Sequence, residues 1–325
     1  MLSKCRRCRS KQGEIHIPYA NMILCPDCFI DFYVKRIKKT VKKYRMFRKG
    51  ETVGVAVSGG KDSSALLHAL RNAFPSQKIV ALHLNLGIKG YSDHCQKIVE
   101  GLAGDLDVDL HIFDLQKEEG IGIGDFERTV FKGKMCAVCG TIKRHALEEL
   151  ARNVGVKVLA TGHHMDDVLG FMFSNLFSKQ WMQLVRLRPV LPPVASWMTR
   201  KVKPLFRTPE NENLLYCFYA DVSFRRESCP YSEGTKTKEN LKIIEILSGG
   251  NPSFRHQSLN AFLELSEMLE KVVKVPRGVP CRKCGFPSLD GLCAYCKRLN
   301  QVKGNMKARE KVAVSSSIGS LDPAA

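Results

Sequence analysis

The sequence predicts an α/β protein: a parallel sheet covered by helices on both faces, with a cysteine-rich module at each end. Three observations carry this. Short apolar runs at 53–57, 79–84, 108–113 and 156–160 alternate with segments of helical pattern. Cysteines cluster in Cys-x-x-Cys pairs near both termini, and a glycine-rich turn joins the first apolar run to a helix. The length of 325 residues suits about two domains. Lys and Arg number 51 against 32 Asp and Glu, a formal charge of +19 and a pI near 9.4. That balance favours a polyanionic partner. Mean hydropathy is −0.17, and no run of about 18 apolar residues exists, so no membrane span is expected. The first residues lack the apolar core of a signal peptide. A cytoplasmic, reducing location is therefore expected, where 13 cysteines serve as metal ligands or catalytic thiols rather than disulfides.

The chain opens on Cys5/Cys8 and Cys25/Cys28, two pairs separated by sixteen residues, the spacing of a four-thiolate zinc site. His16 between them reads as a loop histidine rather than a ligand. A basic helix follows. Val34, Ile37, Val41 and Tyr44 give it one narrow apolar stripe. From Lys35 to Lys49, nine of fifteen positions are Lys or Arg and none is acidic. Such a run repels itself unless it meets phosphates, so it is expected to contact a nucleic-acid backbone.

Residues 53–57 read as a buried strand. Ser58-Gly59-Gly60-Lys61-Asp62-Ser63-Ser64 then turns into a helix over 63–74, ending before Pro75. A glycine-rich turn at a helix N-terminus is an anion site, because backbone N–H groups and the helix dipole converge on it. It is neither a nucleoside-triphosphatase P-loop nor a dinucleotide fingerprint, since the glycine spacing fits neither. Helices are expected near 92–104, 137–153, 208–221, 236–248 and 256–273. The glycines at 120, 122 and 124 read as a mobile loop. Cys281/Cys284 and Cys293/Cys296 form a second four-thiolate zinc set near the C-terminus. The polar tail beyond it reads as disordered.

Cys136 and Cys139 form a pair without a second pair nearby. Cys217 and Cys229 are the possible distant partners. Three cysteines with an open position suit an iron–sulfur cluster; a catalytic dithiol is the alternative. Cys95 and Cys217 lie in apolar helical patterns and read as core. Seven residues, two helical turns, separate Cys136 from Lys143, so the two share a face.

Ser-Gly-Gly-Lys-Asp-Ser resembles the PP-loop of the ATP pyrophosphatase superfamily. The resemblance narrows to the tRNA 2-thiouridine synthetases on the order of further motifs. These are the paired-cysteine module, Cys136-x-x-Cys139-Gly140, Thr161-Gly162-His163-His164-Met165-Asp166-Asp167, Phe224 to Tyr231 around Cys229, and the final Cys-x-x-Cys-Gly ribbon. It implies a parallel five-stranded sheet of the adenine-nucleotide hydrolase type flanked by zinc modules. It implies ATP held by Ser58, Gly59, Gly60, Lys61, Asp62, Ser63 and Ser64, with His83 and Gly162. It also implies a [4Fe–4S] cluster on Cys136, Cys139 and Cys229, and catalytic roles for Lys143 and Asp167. Asp62 and Asp167 are candidate Mg²⁺ ligands; Asp62 also fits a helix N-cap. Three positions depart from the family pattern: His164 stands for Asn, Val168 for an acidic residue and Asn85 for Asp.

The organisation expected is a zinc module over 1–30, a basic helix over 31–49 and a PP-loop domain over 50–222. A helical extension carrying the third cysteine follows over 223–277, then a zinc ribbon over 278–300 and a tail over 301–325. The expected function is an ATP-dependent tRNA sulfurtransferase. It adenylates the C2 carbonyl of a uridine and replaces its oxygen with sulfur from an outside donor, a thiocarboxylated ubiquitin-like carrier or sulfide. A tRNA cytidine 2-thiolation enzyme, or a tRNA-binding protein without turnover, are the alternatives. The resemblance also favours a homodimer.

Overall fold

The computed structural model describes residues 4–232, 236–273 and 278–318. Strands β1 (Ile15–Ile17) and β2 (Met22–Leu24) form a hairpin, and α1 (Pro26–Lys43) follows directly. The central unit continues with β3 (Val53–Ala56), α2 (Lys61–Ala73), β4 (Ile79–Asn85), α3 (Ser92–Asp105) and β5 (Asp109–Asp114). Next come α4 (Leu115–Glu119), α5 (Met135–Asn153), β6 (Val158–Ala160), α6 (Met165–Phe177) and α7 (Trp181–Val185). Then follow β7 (Val190–Leu191), β8 (Arg200–Val202), α8 (Glu210–Tyr219), α9 (Lys236–Ser248) and α10 (Phe254–Glu270). The chain closes with β9 (Val279–Pro280), β10 (Pro287–Ser288) and α11 (Ala294–Ile318).

The central sheet has the order β5-β4-β3-β6-β8-β7. Its first five strands are parallel, as expected, but the sheet has six strands rather than five. The sixth, β7, runs antiparallel along β8, pairing Val190 with Val202 and Leu191 with Lys201. A two-residue strand is too short to show a period of two, so the sequence carries no signal for it.

Side chains alternate across the sheet. Val53, Val55, Ile79, Ala81, Val158 and Ala160 join Leu66, Leu67 and Leu70 of α2 in one core. Val80, Leu82 and Leu159 pack the other way with Ile142, Ala146 and Leu150 of α5. Burial on both faces explains why these strands read as continuous apolar runs. Gly54 is held by space: a Cβ there would stand 2.8 Å from Leu82 Cδ1 and 2.9 Å from a Val156 methyl. A third core joins α6 to α9 and α10 through Val168, Leu169, Ile244 and Leu259. Because β4 lies on one side of β3 and β6 on the other, a crevice opens at the C-terminal ends of β3 and β6, the switch point where ligands bind in such sheets.

Both end modules dock on this unit. At the N-terminus, Ile15, Ile17, Leu24 and Phe29 enter the first core. The basic helix begins inside the module, at Pro26 with Cys25 as its N-cap, so Cys28 lies in its first turn. His16 sits exposed in β1, opposite Ile23. At the C-terminus, the His145 ring of α5 is stacked between Tyr295 at 3.6 Å and Phe286 at 3.8 Å. The tail expected to be disordered from 301 is helical through Ile318 as a continuation of α11, and 319–325 lie outside the described residues. Its first turns past 300 are held by Val302, buried in the second core, and by Lys303, which pairs with Glu119 at 2.7 Å. The glycine loop expected to be mobile is packed, with Ile121, Ile123 and Phe126 buried and the Gly122 backbone against Gly87. Among the described residues, no helix is long and apolar enough to cross a membrane.

Glu148 of α5 is 1 % exposed and accepts from the Thr199 backbone N–H, from Thr199 Oγ1 at 3.1 Å and from Lys201 at 2.6 Å. It fastens the helix layer to β8. Replacing it by Ala strands those donors, and we expect a loss of about 2–4 kcal/mol in stability. Denaturant titration at constant slope checks this; an unchanged midpoint would show that β8 is held otherwise.

Candidate functional site at the sheet switch point

The loop after β3 is shaped by its glycines. Gly59 has φ +77°, and a Cβ there would meet the Cys95 carbonyl at 3.0 Å. Gly60 is the N-cap of α2, with φ −85° and ψ 159° and no side-chain cap. Asp62 is therefore in the first turn and not the cap. Ser63 Oγ accepts from the Ser58 N–H at 3.1 Å and donates to the Gly60 carbonyl at 3.0 Å, which braces the turn from inside. Ser64 is fully buried and its hydroxyl has no hydrogen-bond partner. Ser58 alone among these hydroxyls is exposed at the mouth. Across the crevice, Gly162 abuts the start of α2: a Cβ there would meet the Ser63 nitrogen at 3.1 Å and its Cα at 3.2 Å.

Lys61 turns away from the loop to Glu210 at 2.7 Å and Asp62 at 3.1 Å. Burial works against its charge, but the two carboxylates hold its pKa above the ordinary lysine value. Asp62 Oδ1 accepts from Asn213 Nδ2 at 2.9 Å. Buried His164 stands between the two candidate magnesium ligands, its Nε2 at 3.9 Å from Asp62 Oδ1 and 3.3 Å from Asp167 Oδ2. Burial raises the Asp167 pKa, partly offset by His164. Magnesium takes one or two carboxylates plus phosphate and water oxygens, so this pair beside an anion loop fits it. Asp166 is structural: it accepts from the Glu210 N–H at 2.7 Å and from Arg255 at 2.7 Å.

A pocket beside the loop is lined by Ser58, His83, Tyr91, Cys95 and Lys143, with Ala56, Leu82 and Leu147 beneath. His83 Nδ1 bonds the Val57 carbonyl at 2.8 Å, and its buried Nε2 has no partner. Burial, then the Lys143 charge, lowers the His83 pKa, so the ring is neutral and Nε2 carries a lone pair. Lys143 is exposed and also lies within electrostatic reach of Cys139. Burial raises the Cys139 pKa, Lys143 opposes this, and the Cys229 and Cys136 charges add to the rise. The three thiols thus lie within electrostatic reach of one another, with Cys136 and Cys139 at the N-terminal end of α5. Cys136 Sγ contacts the Tyr231 carbonyl at 2.9 Å. Among the described residues, only the two four-cysteine sets converge within 4.8 Å, the compactness one metal ion requires. Cys136, Cys139 and Cys229 lie outside that compactness, and a set of three thiolates would fit an iron–sulfur cluster rather than a single ion.

In the end modules, Cys8 and Cys25 sulfurs are 3.8 Å apart and Cys284 and Cys293 sulfurs 3.5 Å. A tetrahedron of thiolates at about 2.3 Å from zinc has edges of about 3.8 Å. Cys5, Cys8, Cys25 and Cys28, and likewise Cys281, Cys284, Cys293 and Cys296, therefore fit zinc. Cys95 and Cys217 are buried in the core, as expected.

Each departure from the family pattern has a structural role. His164 caps α6, its Nδ1 accepting from the Asp167 N–H as an Asn side chain would. Val168 is 1 % exposed against the helical extension, where a carboxylate would be stranded. Asn85 donates to Asp93 at 3.0 Å and Gln96 at 2.9 Å, which an ionised Asp cannot do. Sequence reasoning missed Arg225. Its N–H donates to the Gly59 carbonyl at 2.8 Å, and its guanidinium lies 4.1 Å over the Tyr91 ring and donates to Tyr91 Oη at 2.9 Å. Arg225 lies within a segment singled out for Cys229, but nothing local signals a partner 166 residues away.

Residues 32–229 match the PP-loop domain family, and residues 4–30 match the 2-thiouridine synthetase TtuA N-terminal LIM domain. The chain is 30% identical over 294 residues to the tRNA-5-methyluridine(54) 2-sulfurtransferase of Pyrococcus horikoshii, covering 90% of this chain and 93% of the relative. It is 31% identical over 307 residues to the protein of the same description in Thermus thermophilus, covering 94% of each. Its fold is similar to that of the U34-tRNA thiolase NcsA from Methanococcus maripaludis, solved with its [4Fe-4S] cluster. The TM-score is 0.78 at 23% identity, over 94% of this chain and 97% of that one.

A Cβ at Gly60 would meet only Ser58 Oγ at 3.7 Å, so Gly60→Val folds but fills the mouth of the loop. We expect nucleotide affinity to fall by about tenfold or more with the melting temperature unchanged. Calorimetric titration with ATP checks this; retained affinity would move the phosphate site elsewhere.

Proposed function

This chain belongs to the tRNA 2-thiouridine synthetase branch of the PP-loop family, and on that premise we propose that it adenylates the C2 carbonyl of a tRNA uridine and replaces the oxygen with sulfur. The observation that carries the reading is the position of Lys143. It lines the nucleotide pocket with Ser58 and His83 and also faces the thiol of Cys139. Activation and sulfur delivery then occur within reach of one side chain. The Pyrococcus horikoshii and Thermus thermophilus relatives are both named for uridine 54, which supports the T-loop uridine as target.

The uridine carbonyl oxygen attacks the α-phosphorus of ATP and pyrophosphate leaves. Gly59 and Gly60 amides, the Ser58 hydroxyl and the N-terminal dipole of α2 stabilise the departing charge. Lys61 acts through Asp62 and Glu210, holding these carboxylates in place. Asp62 and Asp167 would hold Mg²⁺ against the phosphates. Neutral His83 presents Nε2 as an acceptor to the nucleotide. Cys136, Cys139 and Cys229 would hold a [4Fe–4S] cluster, which when bound offers one iron free of protein ligands to present inorganic sulfur. Sulfur displaces AMP from the activated carbon, and Lys143 neutralises the phosphate as it leaves. The donor is external.

The RNA surface is the outer face of α1. Lys38, Lys39, Lys42 and Lys43 are exposed there, and none has an ion-pair partner among the described residues; Lys35 pairs with Asp31 at 3.0 Å. A homodimer and a cytoplasmic location accord with this reading.

Replacing Lys38, Lys39, Lys42 and Lys43 by Ala is expected to flatten the salt dependence of tRNA binding by about 0.7–0.9 for each phosphate no longer neutralised. An unchanged slope would remove α1 from the interface. Anaerobically purified protein is expected to be brown, with about four irons and about two zincs per chain. Cys229→Ser is expected to lose iron and thiolation and to keep zinc and ATP binding. Mass spectrometry of nuclease-digested tRNA locates the thiolated nucleotide; sulfur on a cytidine, or no AMP release with tRNA, would overturn the proposal.

A further inference from the structure

The basic helix and the nucleotide loop are joined by a buried chain of hydrogen bonds. Tyr33, on the inner face of α1, donates from its hydroxyl to Asn213 Oδ1 at 2.7 Å. Asn213, on α8, donates from Nδ2 to Asp62 Oδ1 at 2.9 Å. Tyr33 and Asn213 are both 0 % exposed, so neither can trade these bonds for water. Tyr33 is immobilised by its stack on Tyr216, with ring centroids 4.0 Å apart and planes 15° from parallel, and by Arg36 over its ring at 5.6 Å.

We propose that Asn213 is a positioning residue for Asp62, with its amide held in the productive orientation by Tyr33. This role rests on the assignment of Asp62 to the nucleotide site and adds residues to it that no motif marks. A carboxamide has an accepting and a donating end of nearly the same shape. The Tyr33 proton goes to Oδ1, and the Asp62 carboxylate, an acceptor only, takes Nδ2, so the two partners together fix one orientation of the amide. Asp62 Oδ2 already receives Lys61 at 3.1 Å. The amide at Oδ1 supplies the opposing restraint, so the carboxylate is pinned at both oxygens and cannot follow Lys61 toward Glu210. The other group near Oδ1 is His164, at 3.9 Å too distant for a hydrogen bond. Because Tyr33 belongs to the helix whose outer face carries the lysines, the polynucleotide surface and the carboxylate are fixed to one rigid element.

The test is a double-mutant cycle read in AMP formation from ATP and tRNA, with ATP affinity measured separately by calorimetry. Asn213→Leu keeps the branched shape and removes both bonds. Its kcat is expected to fall by about tenfold with KM for tRNA and ATP affinity nearly unchanged, while the stranded Tyr33 hydroxyl lowers the melting temperature by about 2–4 °C. Tyr33→Phe keeps the ring stack and is expected to lower kcat by about threefold. The double variant is expected to match Asn213→Leu alone, because Tyr33 acts only through the amide. Should Asn213→Leu not fold, Asn213→Ser completes the cycle. A kcat within about twofold of wild type for the Asn213 variant, while Asp62→Asn is inactive, would overturn the positioning role and leave the nucleotide site standing. Multiplying effects in the double variant would overturn it as well. An active Asp62→Asn protein would instead remove Asp62 from the reaction, and the inference with it.

Discussion

The hydrogen bond from the Arg225 amide to the Gly59 carbonyl ties the glycine loop to the segment that carries Cys229. Gly59 lies at the tip of the anion loop, and Arg225 opens the segment that delivers Cys229. That segment has no helix or strand of its own between Tyr219 and Ser232, so contacts made by its side chains must hold it. The Arg225 guanidinium is clamped on Tyr91 and reaches Cys95 Sγ at 3.2 Å. At the other end, the Tyr231 carbonyl meets the Cys136 thiol and its hydroxyl donates to Glu127 at 2.5 Å. An arm pinned at both ends sets the third cysteine against the first two. The same pins keep the three thiols beside the pocket lined by Ser58, His83 and Lys143.

The end modules are extensions of this core and not appendages. On the N-terminal side, Tyr19 donates to buried Glu212 at 2.8 Å, and Arg36 of α1 pairs with the same carboxylate. Such a buried pair adds little net stability over an apolar contact, but breaking it is costly, and it fixes which residues face each other. On the C-terminal side, burial pushes the His145 pKa down to about 4, so the ring enters its stack with Tyr295 and Phe286 uncharged at neutral pH. The Tyr295 hydroxyl reaches Glu119 at 2.7 Å, closing the contact with a polar bond. Each module is thus keyed by one ring in a polar-edged slot, and α1, rooted in the first module, is held rigidly against α2 and α8.

The sequence by itself determined the parallel sheet, the anion loop and the ten cysteines that stand in pairs. Those features are local: alternation of apolar runs with helical segments, a Ser-Gly-Gly turn between a strand and a helix, and two-residue spacing between thiols. Each is decided by the chain within a few residues. The tertiary structure decided what distance in sequence hides. It added the two-residue strand β7, too short to have a period. It turned Lys61 from the loop onto Glu210, set the Ser63 hydroxyl as a brace inside the turn and buried Ser64. It placed His164 between Asp62 and Asp167, and Asn213 and Arg225 against a loop more than 140 residues earlier in the chain. No periodicity or spacing encodes such pairings, because a hydrogen bond across the fold depends on where packing delivers two side chains, and that is fixed only when the whole core closes.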